Sequence, residues 1–299
     1  MTRKEMKEIV RKVLNDFDEA IDLSKEEIEL LIYEFTQYVR KQPICNKIKS
    51  GSALIVGDIH GDFKIIKKVV RLFLNEGEKV QHLIFLGDIV DRGSNSIACL
   101  NLLFALKTRY PERVHVIRGN HESLPINTRY GFKAEIQQSF NEEELYDQFN
   151  RAFGEMSLAL VHEEQKIFFV HGGIPINGTT IDELNSLPKG DLWLENHTIM
   201  QMLWNDPKEK LGTHGPSIRG MNIYCFGSEI VDSFLEQNNL KMIVRAHEAF
   251  PDGFRFFFNG RVLSLFSSEE HYSHVSAKVA YIDEMGEIDI FHPMEKEKI

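Results

Sequence analysis

Five short apolar runs, each followed by a side chain able to bind a cation, constrain this chain more than any other feature. They are Ala53 to Val56, Leu83 to Leu86, Val114 to Ile117, Ile167 to Val170 and Met242 to Val244. Runs of this length between Gly or polar residues read as buried strands, and amphipathic stretches such as Phe63 to Leu74 and Ser96 to Leu106 read as helices. That alternation predicts an α/β fold. Just beyond the runs stand Asp58 and His60, Asp88, Asn120, His171 and His247. Functional groups in open α/β sheets gather past the carboxyl ends of strands, so separate strands can deliver these six side chains to one place.

The set has a chemical logic. Carboxylates mixed with imidazoles and one amide oxygen suit a divalent metal such as Mn²⁺, Fe²⁺ or Zn²⁺ with an octahedral preference, and the lack of cysteine argues against structural zinc. One residue separates Asp58 from His60, so in extended backbone both face the same way and can share an ion. Glycines at 57, 61, 87, 93, 119, 172 and 173 flank all of these positions but His247, and there the backbone can turn sharply and a bulky anion can approach. A lone histidine is ordinarily a core or surface residue, and His82, His115, His162, His197, His214 and His292 fall outside the pattern and receive no site role. The ordered set GDIHG, GDIVDRG, RGNHE, HGG and RAHE, each after an apolar run, is too specific for chance.

The remaining sequence predicts one compact α/β domain, residues 51–299, preceded by a helical extension, residues 1–50, packed on it. Met6, Ile9, Val10, Val13, Leu14 and Phe17 recur at helical spacing, and Ser24 with Glu27 stands in capping-box register before a second helix. Near the other end, Phe254 to Phe258, Asn259-Gly260 and Arg261 to Phe266 predict a hairpin with a type I′ turn, and a second hairpin spans VAYID and IDIF around Gly286. A net charge of −10 gives no general attraction for nucleic acid. Cys45, Cys99 and Cys225 form no framework, and no apolar run approaches the roughly 18 residues of a membrane span, so a cytoplasmic protein without membrane partners is expected.

These motifs resemble the phosphoprotein phosphatase family, the dimetal serine/threonine phosphatases of the metallophosphoesterase superfamily. The likeness extends from about Leu23 to Phe291 through INTRYGF at Ile126 to Phe132, LWNDP at Leu203 to Pro207, SIRG at Ser217 to Gly220 and FGSEIVDSFL at Phe226 to Leu235. It implies a central β-sandwich flanked by helices. It also implies two divalent metals, Mn²⁺ with iron or zinc as alternatives, held by Asp58, His60, a bridging Asp88, Asn120, His171 and His247. By the same resemblance His121 is the general acid paired with Asp91, while Arg92 and Arg219 hold phosphate oxygens. Asn120 and Tyr272 complete the expected substrate-binding set.

The resemblance implies hydrolysis of phosphoserine and phosphothreonine by direct attack of a metal-bridging hydroxide. Two metals roughly 3.5 to 4 Å apart lower the pKa of water and clamp phosphate oxygens. Protonation of the leaving alkoxide by an oriented imidazole adds about 10² to 10⁴-fold. Guanidinium forks match phosphate geometry. Phosphoproteins are the expected substrates and regulatory subunits the expected partners. Hydrolysis of a small phosphoester or a dinucleoside polyphosphate is the alternative, since the same cradle serves those substrates. A scaffold without turnover is disfavoured because every ligand, the acid and both arginines are present.

Some segments depart from the eukaryotic family pattern, pointing to a divergent or prokaryotic-type branch. FSSEEHYSH stands where SAPNY is usual, which places Glu269, Glu270 and His271 near Tyr272 in what reads as a solvated loop. Ser123 replaces a usual cysteine, Ile89 a usual tyrosine, and the segment around Arg219 is about one residue longer.

Overall fold

The computed structural model describes residues 3–299. Two helices, α1 (Arg3–Asn15) and α2 (Lys25–Val39), come first. The strands β1 (Cys45–Ile48), β2 (Ala53–Val56), β3 (His82–Phe85) and β4 (Val114–Val116) follow, with α3 (Phe63–Glu76) and α4 (Ser96–Arg109) between them. Then come β5 (Ala159–His162), β6 (Ile167–Val170), β7 (Asp206–Pro207), β8 (His214–Pro216), β9 (Tyr224–Phe226), β10 (Met242–Arg245), β11 (Phe254–Phe257), β12 (Val262–Leu265), β13 (Val279–Ile282) and β14 (Ile288–Phe291). They form a six-stranded sheet in the order β1-β5-β6-β10-β12-β11, a five-stranded sheet in the order β14-β13-β2-β3-β4, and a small sheet β7-β9-β8.

The two larger sheets pack face to face. Alternate residues of each strand meet across the interface: Ala53 and Ile55 of β2, Ile84 of β3, Ile167 and Phe169 of β6, Val244 of β10 and Leu263 of β12 share one cluster. Their neighbours Leu54, Val56, Leu83 and Phe85 point the other way, into a second core built with α1 to α4. Phe168, Val170 and Ile243 point into a third core with the helices His197–Trp204 and Ser228–Gln237. Both faces of the central strands are therefore buried, which is why they read as continuous apolar runs rather than alternating ones. The result is the β-sandwich with flanking helices that the family resemblance implies.

The N-terminal periodicity is realised, with Met6, Ile9, Val10 and Val13 buried, although α1 stops at Asn15 and Phe17 opens a 3₁₀ turn. Ser24 and Glu27 cap α2 reciprocally, at 2.9 Å and 3.3 Å. Helix α4 is covered on all sides from Ser96 to Lys107, and Phe104 on it stacks against Phe35 of α2 with ring centroids 3.9 Å apart. The first fifty residues also supply a strand, since β1 pairs in parallel with β5. Both hairpins form, β11 with β12 and β13 with β14. The turn of the first holds Asn259-Gly260 at its centre as expected, with positive φ values of 56° and 85° and Arg261 N–H donating to the Phe258 carbonyl, while Phe258, at φ 52°, adds an overlapping turn in which Gly260 N–H donates to the Phe257 carbonyl. The register Phe257 opposite Val262 leaves four residues in that loop, Phe258 to Arg261, with Asn259-Gly260 in the middle.

Candidate metal centre

The loops after β2, β3, β4, β6 and β10 converge at one edge of the sandwich and bring together Asp58, His60, Asp88, Asn120, His171 and His247, all buried. Two groups of possible ligands form, His60 with Asp88 and His121, and Asp88 with His171 and His247. Asp88 belongs to both, the position expected of a bridging carboxylate. Its Oδ2 lies 3.3 Å from Nε2 of His171, 3.8 Å from Nε2 of His60 and 3.9 Å from Nε2 of His121. Oδ2 of Asp58 is 3.7 Å from Nε2 of His60.

Backbone groups aim these donors inward. Oδ1 of Asp88 accepts from the His121 amide and Oδ1 of Asp58 from the His247 amide, each at 2.9 Å, so the second oxygen of each carboxylate turns toward the imidazoles. His60 Nδ1 donates to the Val90 carbonyl and His171 Nδ1 to the Leu86 carbonyl, each at 2.9 Å. Those bonds fix the tautomer and leave the Nε2 lone pairs facing the centre. The geometry requires strained backbone: His60, Asp88, Asp91, Arg92 and His247 all have positive φ, from 46° to 72°. Such conformations cost roughly 1–3 kcal/mol each and concentrate at functional sites. Gly119 is equally constrained, because a Cβ there would collide with Asp88.

The donor set fits metal ions. Nε2 of His171 lies 2.8 Å from Oδ1 of Asn120 and 3.2 Å from Nδ1 of His247, so lone pairs converge on lone pairs, and Nε2 of His247 is buried without a hydrogen-bond partner. Cations resolve that convergence. The charge balance without them is strained. Burial and the Asp88 charge push Asp58 up to about 7. Burial also acts against an ionised Asp88, but His171 and His121 outweigh it and hold this carboxyl well below its usual range. Burial, reinforced by the charge of His121, pushes His60 down to about 3, and burial with Arg219 holds His247 well below the usual imidazole range.

The other expected residues line the adjoining cavity of about 640 Å³, which includes His121, Arg92, Arg219 and Tyr272. His121 Nδ1 lies 2.6 Å from Asp91 Oδ2, while its Nε2 faces Asp88. Tyr272 packs edge-on against Phe266 and lies 5.8 Å from the His60 ring, and burial raises its hydroxyl to about 12. The loop before it is tied down rather than freely solvated. Asp62 accepts from the amides of Glu269 and Glu270, Ser94 donates to Glu270, and His292 lies 2.9 Å from Glu269.

Several residues without a role in the sequence reading support the site. Glu122 accepts from the amides of Asp88, Ile89 and Gly119 at 2.8 to 2.9 Å, holding the loops after β3 and β4 together. Tyr130 accepts from the Arg92 amide and lies under its guanidinium at 4.7 Å. Asp206 joins Arg219 to the fully buried Arg245, and Arg245 also holds Glu248. Glu122, Tyr130, Asp206 and Arg245 all lie inside the RGNHE, INTRYGF, LWNDP and RAHE motifs, so motif membership was the available signal.

The sequence model of the calcineurin-like phosphoesterase family matches residues 52–251. A protein of Encephalitozoon cuniculi named "Probable serine/threonine-protein phosphatase" is 36% identical over 225 residues, 74% of this chain and 48% of that protein, so the chain spans about half the length of this curated relative. A protein serine/threonine phosphatase structure from Saccharomyces cerevisiae superposes with a TM-score of 0.84 at 27% identity, covering 96% of each chain. A cold-active protein-tyrosine phosphatase from a Shewanella species shares the fold, with a TM-score of 0.60 at 16% identity over 84% of this chain and 83% of that one. On the family match, the chain belongs to the calcineurin-like phosphoesterases.

Proposed function

We propose that this chain is a metal-dependent protein phosphatase acting on phosphoserine and phosphothreonine. The observation that carries the reading is the His121–Asp91 pair, 2.6 Å apart, beside a carboxylate shared by two ligand groups in a cavity that Arg92 and Arg219 also line. Two divalent ions held by Asp58, His60, Asp88, Asn120, His171 and His247, with Mn²⁺ our choice and iron or zinc as alternatives, would supply Lewis acidity and lower the pKa of water at the phosphorus. Arg92 and Arg219 present guanidinium forks to the phosphate oxygens, Arg92 steadied by Tyr130 and Arg219 by Asp206. His121 delivers a proton to the departing serine or threonine oxygen, with Asp91 fixing its tautomer and favouring its charged form. Asn120 and Tyr272 complete the wall that receives the phosphorylated side chain.

Support for a protein substrate comes from the likeness to the yeast phosphatase across 96% of both chains, well beyond the metal motifs. We assign catalysis to residues 51–299 and read residues 1–50 as an extension packed on that body. Phosphoproteins are the substrates in this reading and regulatory subunits its partners. The cysteines are unpaired, which favours a reducing compartment such as the cytoplasm. No helix among the described residues is long and apolar enough to cross a membrane. The test compares a phosphoserine peptide with diadenosine tetraphosphate under each metal, using Asp88→Asn as control. Metal-dependent peptide turnover that this substitution abolishes is expected. Preferential turnover of the dinucleotide would replace the reading with the small-phosphoester alternative.

A further inference from the structure

Two large apolar side chains stand in solvent on either side of Arg219. The loop between β8 and β9 runs from Ser217 through Ile218, Arg219, Gly220, Met221 and Asn222 to Ile223. Ile218 is 106% exposed and Met221 88%, the highest values of any large apolar residue among those described, whereas Ile223 is buried.

The loop is anchored, so this exposure is not that of a loose end. The Ser217 amide donates to the Ile223 carbonyl at 3.0 Å, and the Arg219 amide donates to the Ser217 hydroxyl at 3.2 Å. Asn222, in left-handed backbone at φ 61°, places its side-chain amide 3.3 Å from Nε2 of His197. Nε of Arg219 donates to Asp206. A hairpin loop fixed at its base and at its arginine presents Ile218 and Met221 in a set position.

A single apolar side chain in solvent is ordinary on a folded protein. The position of this pair is what gives it a use. Arg219 lines the catalytic cavity while its neighbours stand in solvent, so the loop forms part of the cavity's rim. A phosphate gripped by Arg219 brings the polypeptide that carries it onto that rim. In an extended polypeptide the residues next to a phosphoserine point away from its face, and those two positions off return to it, about 7 Å along the chain. The two residues of loop from Arg219 to Met221 span at most about the same distance.

We propose that Ile218 and Met221 select phosphorylated sites with a large apolar residue two positions from the phosphoserine or phosphothreonine. The inference rests on the protein-phosphatase reading and deepens it. Covering apolar surface on both partners removes it from water, and the unbranched methionine adapts its shape to different side chains. Partial burial of one leucine against this pair corresponds to about tenfold in affinity. A glutamate at the same place gains nothing from the pair, since its carboxylate has to stay in water.

The test measures kcat/KM of the Mn²⁺-loaded full chain on phosphoserine peptides that differ only in Leu, Ala or Glu at the second position before or after the phosphoserine. Wild-type protein should favour Leu over Ala by about tenfold at one of the two positions, through KM rather than kcat, and should gain nothing from Glu. The double substitution Ile218→Ser/Met221→Ser, on side chains that pack against nothing, should erase the preference. It should leave hydrolysis of p-nitrophenyl phosphate, which has no flanking residues, unchanged. A leucine preference that survives the double substitution, or no preference at either position, would overturn the inference and leave the phosphatase reading standing. Turnover of p-nitrophenyl phosphate without turnover of any peptide would overturn the phosphatase reading and this inference with it.

Discussion

Nδ1 of His121 lies 2.6 Å from Oδ2 of Asp91, and both side chains are buried. The carboxylate has little freedom to move away. Its Oδ1 accepts from the Phe132 amide at 2.9 Å, and the Asp91 amide donates to Ser96. Burial disfavours the imidazolium, but the Asp88 charge and the Asp91 hydrogen bond outweigh it and raise the His121 pKa. The pair thus presents a protonated imidazole over a wider pH range than a free histidine would.

From this follows a pH dependence with a definite sign. The acid must be charged to give its proton, so kcat falls as pH rises through the raised pKa of His121. Asp91→Asn removes the negative partner, which should move that alkaline limb to lower pH and reduce kcat by about 10² to 10⁴-fold. A pH–rate profile of the variant against wild type reads both changes. A limb that stays in place would show that Asp91 does not set the charge of His121.

Metal content should distinguish the shared ligand from the unshared ones. Asp88 belongs to both ligand groups and His247 to one. Asp88→Asn is therefore expected to lower the bound metal at both positions, whereas His247→Gln lowers it at one. Metal analysis after gel filtration measures this directly, and chelation should abolish wild-type phosphatase activity until Mn²⁺, iron or zinc is restored. Equal metal loss from the two variants would argue against Asp88 as the bridge.

The ligands were legible because each follows an apolar run, and the runs were apolar because both faces of β2, β3, β6 and β10 are covered. Composition and spacing therefore carried both strand position and site position. Strands β1 and β5 were harder to find. CNKI at 45–48 interleaves polar residues, and ALVH at 159–162 ends in a histidine that is buried against the Gly51 carbonyl. The supporting network was hidden for another reason. Glu122, Asp206 and Arg245 work by holding loops or other side chains, and the pairings of Glu122 with the Asp88 amide and of Asp206 with Arg245 join residues 34 and 39 positions apart. No local periodicity reports a contact of that kind.

The N-terminal helices belong to the packed body energetically. Phe35 is fully buried and stacks on Phe104, which lies on a helix covered on every side. Phe35→Ala should cost about 3–5 kcal/mol of unfolding free energy, read by urea titration, with little change in KM. A loss below about 1 kcal/mol would mean that the first helices fold and detach independently of the sandwich.

Asp206 couples catalysis to stability through two arginines. Its Oδ2 is 2.5 Å from Nε of Arg219 at the cavity, and its Oδ1 is 2.9 Å from Nη2 of Arg245, whose side chain is completely buried. Asp206→Asn keeps the shape and removes the charge. Losing the sole partner of a buried ion costs about 3–5 kcal/mol, but Glu248 remains 2.8 Å from Arg245, so about 1–3 kcal/mol is expected by thermal or urea unfolding. Arg219 keeps only its solvent and substrate contacts, and its guanidinium loses the orientation that matches phosphate. KM for a phosphopeptide should therefore rise by about tenfold, with a smaller effect on kcat, because the His121–Asp91 pair is untouched. Arg219→Ala should reproduce the KM change without the stability loss, since the Arg245 contacts survive. Equal effects of the two variants on stability would place the Asp206 contribution at Arg219 rather than at Arg245.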